Sequence, residues 1–401
     1  MFYRFTTLFQ NLRCGESSMV QNKERNSNIE LMRIISMIFI IIYHINMHAG
    51  FEKATGFTDI LISIVSCLIV VHVNSYVLVT GYYQSKSKLK ASKIITLNNS
   101  MWFYKVLFLV VFLLLIKFTN INIYSSILPV DIIKTLMPLD YGIYWFIDCY
   151  LVLYIISPIL NKVIQNTSKR QHFMILITLF ILVSCIGTFG KDEIIYTRNG
   201  HSLISFIFLY FIGAYLSKYP IENEKVLNST NNTQRRVLYL FLYFFFSMLT
   251  FMFSETASKF LSGGTLSHEI GTILENQFLN YTSPSILFSS IFYFLFFTTL
   301  NIRSKKINNI SKCILGVYLI HENKLLFENM YKWIGLNTMH YNLFKLVFIF
   351  VVLTISIFVI SLAIEFIRQK IFQFIYNRKI SSKIRIKYRE FFSKLGFNIN
   401  W

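Results

Sequence analysis

Charged residues are scarce in this sequence, and so are the two residues that most often interrupt helices. Only 14% of the 401 residues are Asp, Glu, Lys or Arg, whereas a soluble domain carries roughly 25%. Hydrophobic residues make up 54% of the chain, which has only 15 Gly and 5 Pro. Helices satisfy their own backbone polar groups in lipid, so long unbroken apolar runs favour membrane helices. The composition excludes a soluble globular protein and predicts an all-α, polytopic membrane helical bundle.

Other absences narrow the function. The five cysteines form no C-x-x-C pair, so neither a disulfide framework nor a zinc site is indicated. No G-x-S-x-G motif is present, which leaves a serine-hydrolase mechanism without support. Residues 1–28 lack the small-residue cleavage pattern of a signal peptide, so we expect the first apolar run to be retained. No internal repeat and no linker divides the chain.

Ten apolar runs are long enough to cross a bilayer, which takes about 17 to 25 residues each. They lie near residues 29–47, 59–83, 101–118, 144–162, 172–190, 202–217, 236–254, 284–299, 312–330 and 344–367. The sequence thus predicts about ten transmembrane helices. We divide it into a cytoplasmic N-terminal segment (1–28), a transmembrane domain (29–367) and a basic cytoplasmic tail (368–401).

Lys and Arg in the loops predict the orientation, because positive charge is retained in the cytosol. With the N-terminus inside, the short inner loops hold fifteen Lys and Arg and the outer loops six. Both termini are therefore expected in the cytosol. The net charge of +20 is explained by this topology and by contact with anionic lipid. The tail "RKISSKIRIKYREFFSK" suits a helix on the membrane surface better than a nucleic-acid site, so no nucleic-acid partner is predicted.

The first apolar run contains a cation and an imidazole on one helix face. Arg33 and His44 are eleven positions apart, which is about three turns, so they share a stripe and lie about 16 Å apart along the axis. Arg33 is expected near the cytosolic headgroups and His44 toward the outer leaflet. A structural interpretation remains open, in which Arg33 snorkels and pairs with Glu30 while His44 is a helix-end residue. Ionisable groups inside membranes more often face a cavity and mark function.

Further polar residues lie at similar depths in other runs. They are His72 and Asn74 in the second run, Asp148 in the fourth, and His321, Glu322 and Asn323 in the ninth. In the predicted topology His44 and Asp148 lie toward the outer side and His321 near mid-depth, and we expect these three residues to line one aqueous pocket that opens outward. His44-x3-His48 has helical metal-ligand spacing, but the glutamate of H-E-x-x-H is missing, so no metal is predicted.

Four segments in order carry a family resemblance: "IELMRIISMIFIIIYH", "YVLVTGYYQSKSKLK", "YWFIDCYLVLYIISPILN" and "LGVYLIHEN". With this set, residues 27 to 367 resemble the membrane-bound acyltransferase 3 family, particularly members that decorate bacterial surface polysaccharides. The resemblance implies a ten-helix enzyme of the bacterial plasma membrane. Such an enzyme takes an acyl group, by default acetyl, from cytosolic acyl-CoA and delivers it to a hydroxyl of a cell-surface or lipid-linked polysaccharide. It implies no tightly bound cofactor, and membrane lipid, acyl-CoA and the glycan as partners.

Site roles follow by position from that resemblance. His44 would be catalytic, as general base or acyl carrier, with Arg33 as its partner near the donor. Asp148 or Glu322 would orient His44. The family often has arginines after the second helix, and this chain has lysines instead, which hold phosphate as point charges. The candidate substrate-binding residues are Lys86, Lys88, Lys90, Lys93, His72, Asn74, Tyr82, Trp145, His321 and Asn323. Tyr82 also fits an interfacial aromatic belt.

One alternative belongs to another class of protein. In a transporter or flippase of lipid-linked sugars, buried His, Asp and Glu would form a translocation path. That class predicts paired broken helices and internal symmetry, and the sequence shows neither.

Overall fold

The computed structural model describes residues 25–48, 56–123, 132–133, 137, 144–189, 195–220, 230–260, 278–334 and 343–376. Every extended element in these ranges is helical, and no strand occurs in them. The helices are α1 (Ser27–His48), α2 (Phe57–Ile69), α3 (His72–Gln84), α4 (Ala91–Phe118), α5 (Trp145–Asn166), α6 (Lys169–Leu179), α7 (Leu203–Lys218), α8 (Asn232–Phe260), α9 (Pro284–Thr298), α10 (Lys305–Ser311), α11 (Ile314–His321), α12 (Lys324–Ile334) and α13 (Leu343–Tyr376). A π-helix, Phe180–Ile186, and one turn, Gly187–Phe189, continue α6, and a 3₁₀ turn spans Arg198–Gly200.

Seven helices in the described ranges are long and apolar enough to cross a membrane, counting Phe57–Gln84 as one span. Two shorter apolar helices, Leu203–Lys218 and Pro284–Thr298, add to them. The protein is therefore an all-helical, multi-pass membrane protein. The count of ten crossings and the cytosolic location of both ends stay predictions. Residues 368–376 of the predicted tail continue α13, whereas residues 377–401 and most of residues 1–28 lie outside the described residues.

Helix α1 occupies the centre of the bundle. Ile29 and Met32 belong to one buried hydrophobic cluster, which includes residues of α3, α7 and α9. Ile34, Met37 and Ile41 belong to a second cluster, with residues of α4, α11 and α13. Because α1 packs on both sides, its Arg33-to-His44 stripe faces other helices along most of its length. We refer below to the Arg33 end and the His44 end of the bundle.

Helices α3 and α7 approach each other backbone to backbone at two glycines. A Cβ at Gly81 would lie 2.2 Å from the Tyr210 carbonyl oxygen, and one at Gly213 would lie 2.2 Å from the Leu78 oxygen. Small residues at a helix crossing allow this close approach in membranes, where the hydrophobic effect does not drive helices together. The two glycines therefore fix α7 against α3, which begins with His72.

The ninth apolar run is not one helix. The sequence predicts a crossing helix over 312–330, whereas α11 ends at His321 and α12 begins at Lys324. Side chains from elsewhere satisfy the groups that this break exposes: the Tyr144 hydroxyl donates to the Leu319 carbonyl at 2.7 Å, and the Asn323 amide donates to Tyr144 Oη at 3.0 Å. Hydropathy alone cannot locate this break, because the bonds that stabilise it come from a distant part of the chain.

Two other helices also end within the expected depth of the membrane. The second span continues through Val70 and Val71 in turns whose backbone angles stay helical, so α2 and α3 together form one crossing. Helices α7 and α9 have 16 and 15 residues, which correspond to about 24 and 22 Å, short of the roughly 30 Å hydrocarbon core. Non-helical backbone at membrane depth is stable only where it is buried in protein or lines a water-filled cavity. Such helix ends therefore mark where a polar site can exist.

These helix ends meet at the His44 end. Tyr281, just before α9, places its hydroxyl 3.2 Å from His72 Nε2 at the start of α3. Its backbone N–H donates to the Asn199 carbonyl at 3.3 Å, in the turn before α7. Tyr281 also lies within electrostatic range of Glu322, at the end of α11. The folded chain thus gathers three helix ends and the turn between α2 and α3 around one place.

Candidate active site

His44 lies one turn before the end of α1 and contacts both polar residues at the end of α11. Its Nδ1 is 3.2 Å from His321 Nε2 and 2.7 Å from Glu322 Oε2. The side chains of His44 and Glu322 are each 14% exposed, and His321 is buried. A partly desolvated imidazole and carboxylate therefore lie in direct contact, with some access remaining for a ligand.

The hydrogen bonds around His321 determine which nitrogen of His44 carries the proton. His321 Nδ1 is 2.6 Å from the Val317 carbonyl oxygen, which can only accept, so Nδ1 is the donor. In the neutral ring, Nε2 of His321 is then an acceptor. His44 Nδ1 thus faces two acceptors, His321 Nε2 and the Glu322 carboxylate, and must itself bear a proton. Neutral His44 consequently has its lone pair on Nε2.

The other ring nitrogen of His44 is the one available for chemistry. No hydrogen bond joins Nε2 to any residue in the described ranges. When Nε2 accepts a proton, the ring becomes an imidazolium whose charge lies 2.7 Å from Glu322 Oε2. A carboxylate in this position stabilises that charge and holds the ring in one tautomer, as in catalytic triads. The arrangement suits a general base or a nucleophile.

The same three residues have ligand types that fit a metal ion. One ligand atom each from His44, His321 and Glu322 lies within 4.8 Å of the others. Two ligands of one tetrahedral zinc ion are separated by roughly 3.3 Å, given bonds near 2.0 Å. The 2.7 Å between His44 Nδ1 and Glu322 Oε2 is shorter and is the separation of a close ion pair, without hydrogen-bond geometry at Oε2. The absence of a metal stays a prediction from sequence.

The two carboxylates proposed from sequence as orienting groups have different positions. Glu322 contacts His44 directly. Asp148, in the first turn of α5, forms no hydrogen bond or ion pair with His44 in the described ranges. Asn323 bonds to Tyr144, which supports the helix break. The geometry thus favours Glu322 as the orienting group.

His72 and Asn74 belong to the support of the Tyr281 segment. His72 is buried, and its Nδ1 donates to the Ile69 carbonyl at 2.6 Å, which leaves Nε2 to accept from the Tyr281 hydroxyl. Asn74 Nδ2 donates to the Tyr281 carbonyl at 2.9 Å and to Ser290 Oγ at 3.1 Å. Both candidates from the second run therefore hold the segment before α9 in place.

Arg33 is held at the opposite end of α1. Its Nη1 lies 3.3 Å from Glu30 Oε2, and the guanidinium carbon lies 6.0 Å from the centre of the Tyr76 ring. The Tyr76 hydroxyl donates to the Arg33 carbonyl at 2.5 Å. The pairing of Arg33 with Glu30 is the contact predicted by the structural interpretation, in which Arg33 snorkels toward the headgroups. Since the Arg33 side chain is still 37% exposed, a ligand can also reach it.

The four lysines lie on the Arg33 side of the bundle, three of them in the segment between α3 and α4 and Lys93 in the first turn of α4. All four are exposed. Lys86 Nζ donates to the Ser217 carbonyl at 2.7 Å, and Lys93 Nζ lies 5.5 Å from the Tyr154 ring centre. Tyr82 packs in the core, with its ring centre 5.3 Å from that of Phe294. We name the four exposed lysines the lysine rim. Tyr82, in contrast, packs in the hydrophobic core.

Sequence reasoning did not identify Tyr281 or His201, which the structure brings next to Trp145. Trp145 begins α5, and its ring centre lies 4.1 Å from that of His201 and 6.4 Å from that of Tyr281. Both residues precede unusually short apolar runs, α7 and α9. That shortness was the available signal, because a short run leaves polar loop residues at membrane depth.

The fold and the site together define a class: a multi-pass helical membrane protein with a carboxylate-supported imidazole among its helices. A family model described as an acyltransferase domain, Acyl_transf_3, matches residues 26–366. The chain belongs to this acyltransferase 3 family and is a membrane acyltransferase, which confirms the resemblance noted from sequence. No curated protein and no solved structure matches the chain.

Proposed function

We propose that the protein is an O-acyltransferase of the bacterial plasma membrane. It takes an acyl group, by default acetyl, from cytosolic acyl-CoA and transfers it to a hydroxyl of a cell-surface or lipid-linked polysaccharide. The family assignment supports acyl transfer. The observation that carries the proposal for the site is the contact of His44 Nδ1 with Glu322 and His321, which leaves Nε2 as the reactive nitrogen.

In the general-base route, His44 Nε2 takes the proton of the acceptor hydroxyl as that oxygen attacks the thioester carbon. The imidazolium is stabilised by Glu322, at 2.7 Å. Collapse of the tetrahedral intermediate breaks the C–S bond, and the departing CoA thiolate takes the proton from Nε2. The products are the acyl ester and CoA, and His44 returns to its starting tautomer.

A covalent route uses the same nitrogen. His44 Nε2 attacks the thioester carbon, CoA leaves as thiolate, and an acyl-imidazolium forms that keeps its proton on Nδ1. The acceptor hydroxyl then attacks this acyl group, its proton passes through solvent to the CoA thiolate, and the C–N bond breaks to restore neutral His44. The two routes differ in one observable: only the covalent route labels the protein with acetyl when acceptor is omitted.

At the other end of α1, Arg33 and the lysine rim, Lys86, Lys88, Lys90 and Lys93, offer positive charge to the phosphates of CoA. Arg33 and His44 are about 16 Å apart along the helix axis. The pantetheine arm of CoA is a long chain between the phosphates and the sulfur, so it suits two anchor points at different depths. Acyl-CoA acts here as a substrate, and no tightly bound cofactor is proposed.

The test uses the purified full-length protein in detergent with radiolabelled acetyl-CoA and an extract of envelope glycans as acceptor. We expect His44→Ala to lower acetyl transfer by about 10²–10⁴-fold, the range for loss of a general base. His172→Gln is the matched histidine control, because His172 lies on α6, where its Nε2 contacts the Phe211 carbonyl. Full transfer by His44→Ala would defeat the assignment.

The same assay separates the alternative class. A flippase or transporter would release no CoA under any acceptor condition. The break between α11 and α12 is a feature that a transporter also uses, so the family match is what favours the enzyme. CoA release that depends on His44 would be incompatible with simple transport.

A further inference from the structure

Three aromatic rings form a cluster at the His44 end that the chemistry above does not use. We name Trp145, His201 and Tyr281 the outer aromatic cluster. Ring centres lie 4.1 Å apart for Trp145 and His201, 5.1 Å for His201 and Tyr281, and 6.4 Å for Trp145 and Tyr281. The cluster joins the start of α5 to the turns before α7 and α9.

The outer aromatic cluster has one buried ring and two half-buried rings that a ligand can reach. Tyr281 is buried, whereas Trp145 and His201 are half-buried. The indole N–H of Trp145 has no hydrogen-bond partner in the described ranges. His201 Nδ1 donates to the Arg198 carbonyl at 3.0 Å, so its Nε2 carries the lone pair. A ligand would meet apolar ring faces together with one donor and one acceptor.

The backbone that carries His201 is held in an uncommon conformation. Tyr196, Arg198 and Asn199 have φ values of 56°, 49° and 56°. Such backbone conformations are costly, so they persist only where contacts with the surrounding structure hold them, and they cluster at ligand sites. Gly200 has φ 89°, and a Cβ there would lie 2.5 Å from Tyr281 Cβ. The turn is therefore fitted closely onto Tyr281, which places His201 beside Trp145.

The cluster is connected to the candidate catalytic residue, His44, through two further rings. The Tyr281 hydroxyl bonds to His72, whose ring centre is 5.3 Å from that of Tyr43. Tyr43 precedes His44 in the chain, and their ring centres are 6.0 Å apart. Tyr281 is also within electrostatic range of Glu322. A molecule on the cluster would thus lie at the same end of the bundle as His44, with the rings of His72 and Tyr43 between Tyr281 and His44.

We infer that the outer aromatic cluster is the subsite that holds a pyranose ring of the acceptor, with Trp145 stacking on the sugar and His201 accepting from a hydroxyl. The inference rests on the proposed function. A pyranose presents a face of C–H groups, which packs on aromatic rings, and a rim of hydroxyls, which need donors and acceptors. The cluster supplies both kinds of contact at the His44 end of the bundle.

A binding experiment tests the subsite without catalysis. Replacing Trp102, Trp333 and Trp401 by Phe leaves Trp145 as the sole tryptophan. We follow the fluorescence emission of Trp145 while either methyl β-D-glucopyranoside or methyl N-acetyl-β-D-glucosaminide is titrated. Acyclic sorbitol is the control. We expect a saturable change with at least one glycoside, weakened by His201→Ala. Emission that responds to neither glycoside, or equally to sorbitol, would overturn the subsite.

Kinetics give the second readout. Trp145→Ala should raise the acceptor KM about tenfold, the worth of one good aromatic contact, with the acetyl-CoA KM unchanged. Trp145→Phe should lie between this variant and the wild type, and it also serves if Trp145→Ala does not fold. Trp333→Ala is the matched control, since that indole stacks on Phe112 and donates to the Asn122 carbonyl. An unchanged acceptor KM in both Trp145 variants would reject the subsite.

The two proposals fail in different ways. Saturable glycoside binding without acetyl transfer to any glycan would remove the proposed function and leave the subsite. Acetyl transfer by the wild type, with glycoside binding and acceptor KM both indifferent to Trp145 and His201, would leave the function and remove the subsite.

Discussion

At the scale of single residues, His321 has a role distinct from that of His44 although the two rings are in contact. Its Nδ1 is committed to the Val317 carbonyl and its Nε2 to His44. A buried ring with both nitrogens engaged has no position for substrate. We therefore predict that His321 is a positioning residue, which keeps the proton of His44 on Nδ1 and the lone pair on Nε2.

Glu322 is the negatively charged neighbour of His44. Replacing it by glutamine, its neutral isostere, therefore tests what that charge contributes. We expect Glu322→Gln to lower kcat by about 10²-fold or more, because the amide cannot neutralise the imidazolium of His44. The acetyl-CoA KM should not change. Initial rates at saturating donor measure the effect.

The matched control is Glu328→Gln on α12. Glu328 pairs with Lys324 at 3.8 Å on the surface, a contact worth about 0–1 kcal/mol. Glu322→Asp should retain part of the activity, since it keeps the charge. Equal kcat values for Glu322→Gln and wild type would remove Glu322 from the mechanism.

At the scale of elements, the sequence predicts where the apolar helices lie but not where they break. Residues 312–330 form one predicted run, yet α11 ends at His321 and α12 begins at Lys324. That break depends on a residue far away in the chain, Tyr144, whose hydroxyl bonds on both sides of it. His44 and Glu322 could be singled out because ionisable residues are rare in membrane runs. His201 and Tyr281 could not, because their importance depends on which loops meet.

Not every buried charge in these helices belongs to the site. Glu365 and Arg368 on α13 form a buried pair, with Arg368 Nη2 2.6 Å from Glu365 Oε1, and the Tyr104 hydroxyl on α4 donates to Glu365 at 2.5 Å. Gly316 of α11 packs directly on the Glu365 carboxyl group. These residues connect α4, α11 and α13. The rule that ionisable residues in a membrane mark function thus needs the structure to separate paired structural charges from a reactive group.

The crossing of α3 and α7 provides a prediction about element packing. Gly81→Ala would place a Cβ 2.2 Å from the Tyr210 carbonyl oxygen, so the helices must separate. We expect a loss of about 1–3 kcal/mol of stability, typical of overpacking, seen as a lower melting temperature of the detergent-solubilised protein. Val110→Ile is the control, because it adds one carbon at a 47% exposed position on α4. Equal melting temperatures for the two variants would contradict the close crossing.

At the scale of the whole molecule, the site is arranged along a single axis. Arg33 and the lysine rim lie at one end of the bundle, and His44 lies about 16 Å further along α1. The outer aromatic cluster lies at the His44 end, where several helix ends meet. A donor and an acceptor that arrive from opposite sides of a membrane could therefore meet at His44 while neither crosses completely. This arrangement needs the Arg33 end in the cytosol.

Sidedness is open to a direct test in intact cells. In a variant without the five native cysteines, Ser87→Cys probes the Arg33 end and Tyr196→Cys the His44 end, since both positions are exposed. Because the loops with more Lys and Arg are retained in the cytosol, we expect a membrane-impermeant maleimide to label position 196 in intact cells. Position 87 should be labelled only after permeabilisation. The reverse pattern would place the acyl-CoA end outside the cell, where that donor is not found, and would reject the proposed direction of transfer.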